Sequence, residues 1–377
     1  DREQLGDRVD DRDRLDHVAT QVRLVGEVVF HDEAKPAPKP GHEVVGEGLS
    51  QHEEARDDFL GAILSTATIA AMIRSATPLT LAAMGGIFSE RGGVINIALE
   101  GIMLTGAFTA VLFSTIGASI GLPAGASAML GVAAAVIFGL AIALIHAYFS
   151  ITLRVNQLVS GVAINMLAFG ITGLLLQLIF NVTGNSPAAP DMKPMPIPFL
   201  ADIPVLGPIL FQHQPIVYVM FLAVPFSAFL IKSTPYGLRL RAAGDKPAAI
   251  DTVGVDVHRI RYIGVGLSGV FAGLAGAYLS LGQLNFFSEG MTSGRGFIAL
   301  AAVIFGNWRP WQAFGAALLF GFSDAVQIAL QNAGMSVPSD FLLMAPYVVT
   351  LIALAGFIKK AVPPAAIGQP YPAEEPI

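Results

Sequence analysis

The chain has no cysteine. Disulfides, thiolate-bound metals and cysteine nucleophiles are therefore excluded. Charge is scarce as well. Asp, Glu, Lys and Arg make up 13% of the 377 residues, where a soluble domain carries about a quarter. The scarcity is uneven: residues 1–58 hold 16 of the 28 acidic and 8 of the 22 basic residues, and the other 319 hold 12 and 14. The net charge of −6 belongs to the N-terminal segment, and no nucleic-acid partner is expected. Histidine is thin too. His17, His31, His42 and His52 lie in the polar leader, and His146, His213 and His258 stand far apart without ligand spacing, so no metal is expected. No Gly-x-x-x-x-Gly-Lys-Ser/Thr phosphate loop occurs, so the chain does not hydrolyse ATP by that device. Neither a Ser/His/Asp set, a His-Glu-x-x-His pattern nor a paired-carboxylate site is apparent. No catalytic residue and no cofactor are expected.

What the chain has is apolar length. Hydrophobic residues make up 54% of it. Runs near twenty residues match the ~30 Å hydrocarbon core of a bilayer. The runs fall at 59–88 (broken at Thr77-Pro78), 94–116, 124–149, 158–180, 216–231, 262–282, 297–306, 311–331 and 341–357. The expected fold is an all-α integral membrane protein: a polytopic helical bundle of eight to ten spans with broken or re-entrant helices. Residues 1–57 read as a polar, disordered extension, 58–360 as the membrane domain and 361–377 as a short tail. Basic residues set the orientation. Lys232, Arg239, Arg241, Lys246, Arg259 and Arg261 place the 232–261 loop in the cytoplasm. Arg91, Arg154, Arg309 and Lys359-Lys360 agree with that topology.

Thirty residues between two spans is long for a connector. Within 232–261, Pro247 suits the first turn of a helix capped by Asp245, and Gly254 suits its end. Ala248, Ala249, Val253 and Val255 give that helix a small, partly apolar face, fit for a partner's groove. The alternative is a solvated basic loop that only fixes orientation.

Three phrases carry a family resemblance. Gly237–Asp256 resembles the coupling loop of permeases from ATP-binding cassette (ABC) importers of the branched-chain amino acid, ribose and nucleoside group. Gly86-Ile-Phe-Ser-Glu-Arg-Gly-Gly-Val-Ile-Asn-Ile-Ala-Leu-Glu-Gly, running on to Phe108, resembles the early signature of the nucleoside and simple-sugar branch. Gly306-Asn-Trp-Arg-Pro-Trp, followed by Gly315 and Phe322-Ser-Asp-Ala-Val-Gln, is the third. The resemblance spans about 60–358. It implies partners: ATP-binding cassette ATPase subunits, a second permease of the same or a related kind, an extracytoplasmic solute-binding lipoprotein or periplasmic protein, and the lipid bilayer of a bacterial inner membrane. It also implies ATPase coupling by Arg239, Arg241, Gly244, Asp245, Ala248, Ala249 and Gly254, with Gly244 as pivot.

Polar residues inside spans are functional candidates. Asn96 and Glu100, four apart, share a helix face. They read either as a binding or gating pair or as internally satisfied structural groups. Asp324, Gln327 and Gln331 fall on one helical face, lining a path or joining helices. Gln283 and Asn285 stand at the outer mouth with Glu289 and Arg295. Phe286 and Phe287 beside them suit either base stacking or lipid anchoring. Arg91-Gly92 and Arg295-Gly296 each precede a small-residue helix, a hint of an inverted repeat. The expected function is translocation of a nucleoside or simple sugar on energy from partner ATPases. The competing reading is an ion-coupled secondary transporter using Glu100 or Asp324.

Overall fold

Helices dominate because no lone strand satisfies its backbone in lipid, whereas a helix satisfies it internally. The computed structural model describes residues 65–332 and 361–371, with Gly61, Met344 and Val348 besides, within a unit spanning Asp57–Ile377. The expected 341–357 span and the 1–57 leader lie outside the described residues. In order, the helices are α1 (Thr66–Arg91), α2 (Leu99–Ser119), α3 (Ala124–Ala147), α4 (Gln157–Phe180), α5 (Pro215–Ser233), α6 (Pro235–Asp245), α7 (Pro247–Asp251), α8 (Val257–Ala277), α9 (Arg295–Phe305) and α10 (Pro310–Asn332). Seven of them, α3 and α8 lengthened by π-helical turns, are long and apolar enough to cross a membrane, and α9 is half that length.

Pro78 does not divide α1, which runs unbroken through it. The proline removes the N–H that would bond the Arg74 carbonyl. That carbonyl instead accepts from Gln283 Nε2 at 3.2 Å, and Thr77 Oγ1 donates to the Ile73 carbonyl at 2.8 Å. The freed carbonyl is satisfied from outside the helix, which offsets the bond the proline removes.

The 94–116 run does break. Helix α2 begins only at Leu99, so Asn96 lies in irregular backbone and shares no helical face with Glu100. Gly93, at φ +91°, turns the chain where a side chain would strike Arg261. Irregular backbone survives at membrane depth only when protein satisfies it, and here neighbouring side chains do. Ser89 Oγ donates to the Val94 carbonyl at 2.7 Å. The Ile95 N–H donates to Gln157 Oε1 at 2.7 Å, and the Ile95 carbonyl accepts from His146 Nε2 at 3.0 Å. Asn165 bonds both the Ile97 carbonyl and the Gly101 N–H.

Helix α8 is the centre, with 83% of its span buried, against 67% for α1 and 22% for α4. Its glycines allow that position. A side chain at Gly273 would strike the Ala135 carbonyl of α3, and one at Gly276 the Met103 carbonyl of α2. The outer face of α4 carries Met166, Leu178 and Phe169 exposed, as a surface turned to lipid or to another apolar helix does.

Candidate functional site: a cavity and a basic-end coupling node

Helices α1 and α9, the π-turn after α8 and α10 converge on a cavity of about 580 Å³. Arg74, Ser75, Gln214, Gln283, Arg295, Asp324 and Gln327 give it polar walls, and Ala71, Ile298 and Ile328 apolar ones. Three of the path residues expected from sequence, Gln283, Asp324 and Gln327, therefore meet in one place. Gln214 and Arg295 join them. Gln214 donates to the Gly282 carbonyl at 3.0 Å, while its Oε1 has no partner among the described residues. Arg295 is tethered to the Met291 carbonyl at 3.1 Å.

The other expected path residues lie elsewhere. Asn285 sits in the left-handed region at φ +60°, exposed, its carbonyl accepting from the Ala189 N–H at 2.8 Å. Asn96 is fully buried and donates to Ser268 Oγ at 2.7 Å. Glu100 occupies the junction of two helix starts: its Oε1 accepts from the Gly294 N–H at 2.7 Å and its Oε2 from the Gly296 N–H at 2.6 Å. The carboxylate thus caps α9 from the first turn of α2, where both helix dipoles favour negative charge. Phe287 is fully buried against Phe108, edge to face at 5.2 Å, so it is core and no stacking surface.

The far end of the bundle holds a second arrangement, whose residues the sequence reading used for orientation, for the family resemblance and as a hint of a repeat, but not as one site. Glu90, buried at the end of α1, accepts from Trp308 Nε1 at 2.5 Å. Arg91 donates to the Trp308 carbonyl at 3.1 Å and to the Asn307 carbonyl at 3.4 Å. Asn307 and Trp308 both take positive φ, 49° and 53°, a strained reversal from α9 into α10. Two of the three sequence phrases that carry the resemblance are thereby joined; their recurrence in one chain was the available signal.

The 232–261 loop folds here as α6 and α7. Thr234 caps α6 by accepting from the Gly237 N–H at 3.1 Å. Asp245 is not the cap of the following helix: Lys246 holds that position, and Asp245 closes α6. Pro247 does start α7, and Gly254, at φ +76°, follows its end. Gly244 is buried, and a side chain there would strike the Arg91 carbonyl. Arg239, Ala248, Ala249 and Val253 are exposed, Val253 at 72%. Arg91, Lys232, Arg241, Asp245 and Arg309 line a basic cavity of about 770 Å³ beside them. No group of three or more metal-ligating side chains occurs among the described residues.

A family model described as the permease component of a branched-chain amino acid transport system matches residues 68–354. The chain belongs to that permease family. With seven apolar, membrane-length helices among the described residues it is a multi-pass membrane protein, a transport subunit in kind. The guanosine ABC transporter permease protein NupQ of Bacillus subtilis is 46% identical to it, over 82% of this permease and 97% of NupQ. The nucleoside ABC transporter permease protein NupC of Lactococcus lactis is 38% identical, over 80% and 96%. A second Bacillus subtilis protein, the guanosine ABC transporter permease protein NupP, is 26% identical, over 71% and 75%.

Proposed function

We propose that this permease is the channel-forming subunit of an ATP-driven importer that moves a nucleoside across a bacterial inner membrane. The observation that carries the reading is the cavity of Gln283, Arg295, Asp324 and Gln327. Amide and carboxylate groups there offer donors and acceptors for ribose hydroxyls and base edges, and the mixed wall suits a small, largely uncharged solute. The likeness to permeases named for guanosine and nucleosides supports that substrate over a free amino acid.

Energy enters at the other end. The exposed face of α7, with Ala248, Ala249 and Val253, is the docking surface for an ABC ATPase, and Arg239, Arg241, Gly244, Asp245 and Gly254 shape it. Both oxygens of Glu100 are held by backbone amides, which favours this reading over ion coupling at that carboxylate. A solute-binding protein delivers the nucleoside from outside. A second, related permease completes the pore, as the two guanosine permease proteins of one Bacillus suggest.

The test is uptake of radiolabelled guanosine, ribose and leucine into proteoliposomes holding the full complex. Guanosine enters on ATP, and Asp324→Asn with Gln327→Leu raises the half-saturating concentration about tenfold, near 1.4 kcal/mol of lost binding. Uptake of leucine alone contradicts the substrate; uptake indifferent to both substitutions contradicts the path.

A further inference from the structure

The segment 361–371 was expected to be a short tail, yet it is packed into the basic-end node. Pro364 and Ala366 are buried, and Ile367 and Tyr371 pack against the core. It bonds several elements of that end in turn. The Val362 N–H donates to Asn307 Oδ1 at 3.0 Å, at the reversal between α9 and α10. The Ala365 N–H donates to Asp245 Oδ1 at 3.3 Å, and the Ala366 N–H to the Gly244 carbonyl at 2.7 Å, at the end of α6. The Gly368 N–H donates to the Gly93 carbonyl at 3.0 Å, at the break before α2. Arg261, in the first turns of α8 and only 1% exposed, donates to the Gln369 carbonyl at 2.8 Å. The Tyr371 hydroxyl donates to Asp251 Oδ2 at 2.8 Å, on α7, and its ring lies 6.1 Å from that of His258.

We propose that 361–371 is a coupling strap: it makes α6 and α7 one body with the Gly93 break and the α9–α10 reversal, so that a push on α7 reaches the start of α2 and the short helix α9. The inference rests on the permease reading above. Its physical basis is the kind of bond used. The helices α6 and α7 are short and polar, too small to transmit force by burial alone. Main-chain hydrogen bonds to Gly93 and Gly244 have no rotamer freedom to absorb a displacement. Gly244 and Gly93 also touch each other closely: a side chain at Gly244 would come within 3.2 Å of the Gly93 nitrogen, so the strap locks a contact that already exists. Tyr371 and Arg261 are positioning residues here; neither touches the cavity.

The experiment measures nucleoside transported per ATP hydrolysed, in the reconstituted full complex. Three chains are compared: unsubstituted, truncated after Pro363, and Tyr371→Phe, which keeps the ring and loses the hydroxyl. The truncation lowers the ratio about tenfold, within the usual range of a coupling free energy, while ATPase assembly and basal hydrolysis persist. Tyr371→Phe lowers it several-fold, and Asp251→Asn, whose amide oxygen still accepts, does not. A purely structural strap would reduce the amount of assembled complex and leave the ratio alone, which overturns the proposal. If the truncated chain fails to assemble, Tyr371→Phe decides: an unchanged ratio there overturns it equally. An unsubstituted complex that takes up nothing on ATP would fail the permease reading instead, and is told apart by that.

Discussion

Glu100 illustrates how a costly membrane carboxylate is stabilised without a counter-ion. Two backbone N–H groups at the start of α9 saturate its oxygens. A glutamine at that position offers one acceptor and turns an amide donor toward a second N–H. Glu100→Gln therefore destabilises the fold by about 1–3 kcal/mol. A lowered thermal midpoint in detergent checks this, and an unchanged midpoint contradicts it. His213, just before α5, makes a pH argument. It is buried, its Nε2 donates to the Ile209 carbonyl at 2.8 Å, and burial, with Arg74 nearby, holds its pKa below the ordinary histidine value. The folded state thus keeps the neutral ring, while the unfolded chain takes a proton below about pH 6.5. Stability from this group is complete above that pH and is lost as pH falls. Titrating the thermal midpoint from pH 8 to pH 5 gives a drop that His213→Gln flattens; an equal drop in both refutes it. Sequence exposed Glu100 as unusual because charge is rare in spans. It did not expose the bonding partners, which lie nearly two hundred residues away.

The breaks set the behaviour of the elements. The stretch before α2 is held by side chains of α1, α3 and α4. Asn165→Leu strips partners from the Ile97 carbonyl and the Gly101 N–H at about 1–3 kcal/mol each. Hydrogen exchange should rise first at 93–101. If it rises uniformly, the break is not a separate unit. Composition and run length were enough to locate the long helices, since hydropathy reports burial in lipid directly. They left open whether Pro78 divides the first run, because the group that takes up the freed carbonyl, Gln283, belongs to another helix. They extended α2 through Asn96, because an apolar run carries no sign that its backbone bonds sideways. Two short helical pieces are readable in 232–261, but only the one starting at Pro247 could be bounded; α6 could not, because its mixed polar composition has no long apolar stripe, and its Gly237, Leu240 and Gly244 bury against partners no local pattern names.

For the whole molecule, the proposed function depends on two ends acting together. The cavity of Asp324 and Gln327 lies among α1, α8, α9 and α10, and the node of Gly244, Arg91 and Trp308 holds the other ends of α1, α9 and α10. Polar residues of the cavity were legible one by one, through helical spacing in α10. Their convergence with Gln214 and Arg295 was not, because it depends on how the helices pack. The claim that joins the two ends is that ATP hydrolysed by a partner is felt through Gly244. The most direct test compares the unsubstituted complex with Gly244→Pro, measuring ATP hydrolysis and guanosine uptake together. The account predicts that the unsubstituted complex hydrolyses ATP and accumulates guanosine, and that the proline variant loses assembly or uptake. If no ATPase associates, and uptake instead follows a proton or sodium gradient in both proteins, the account is wrong.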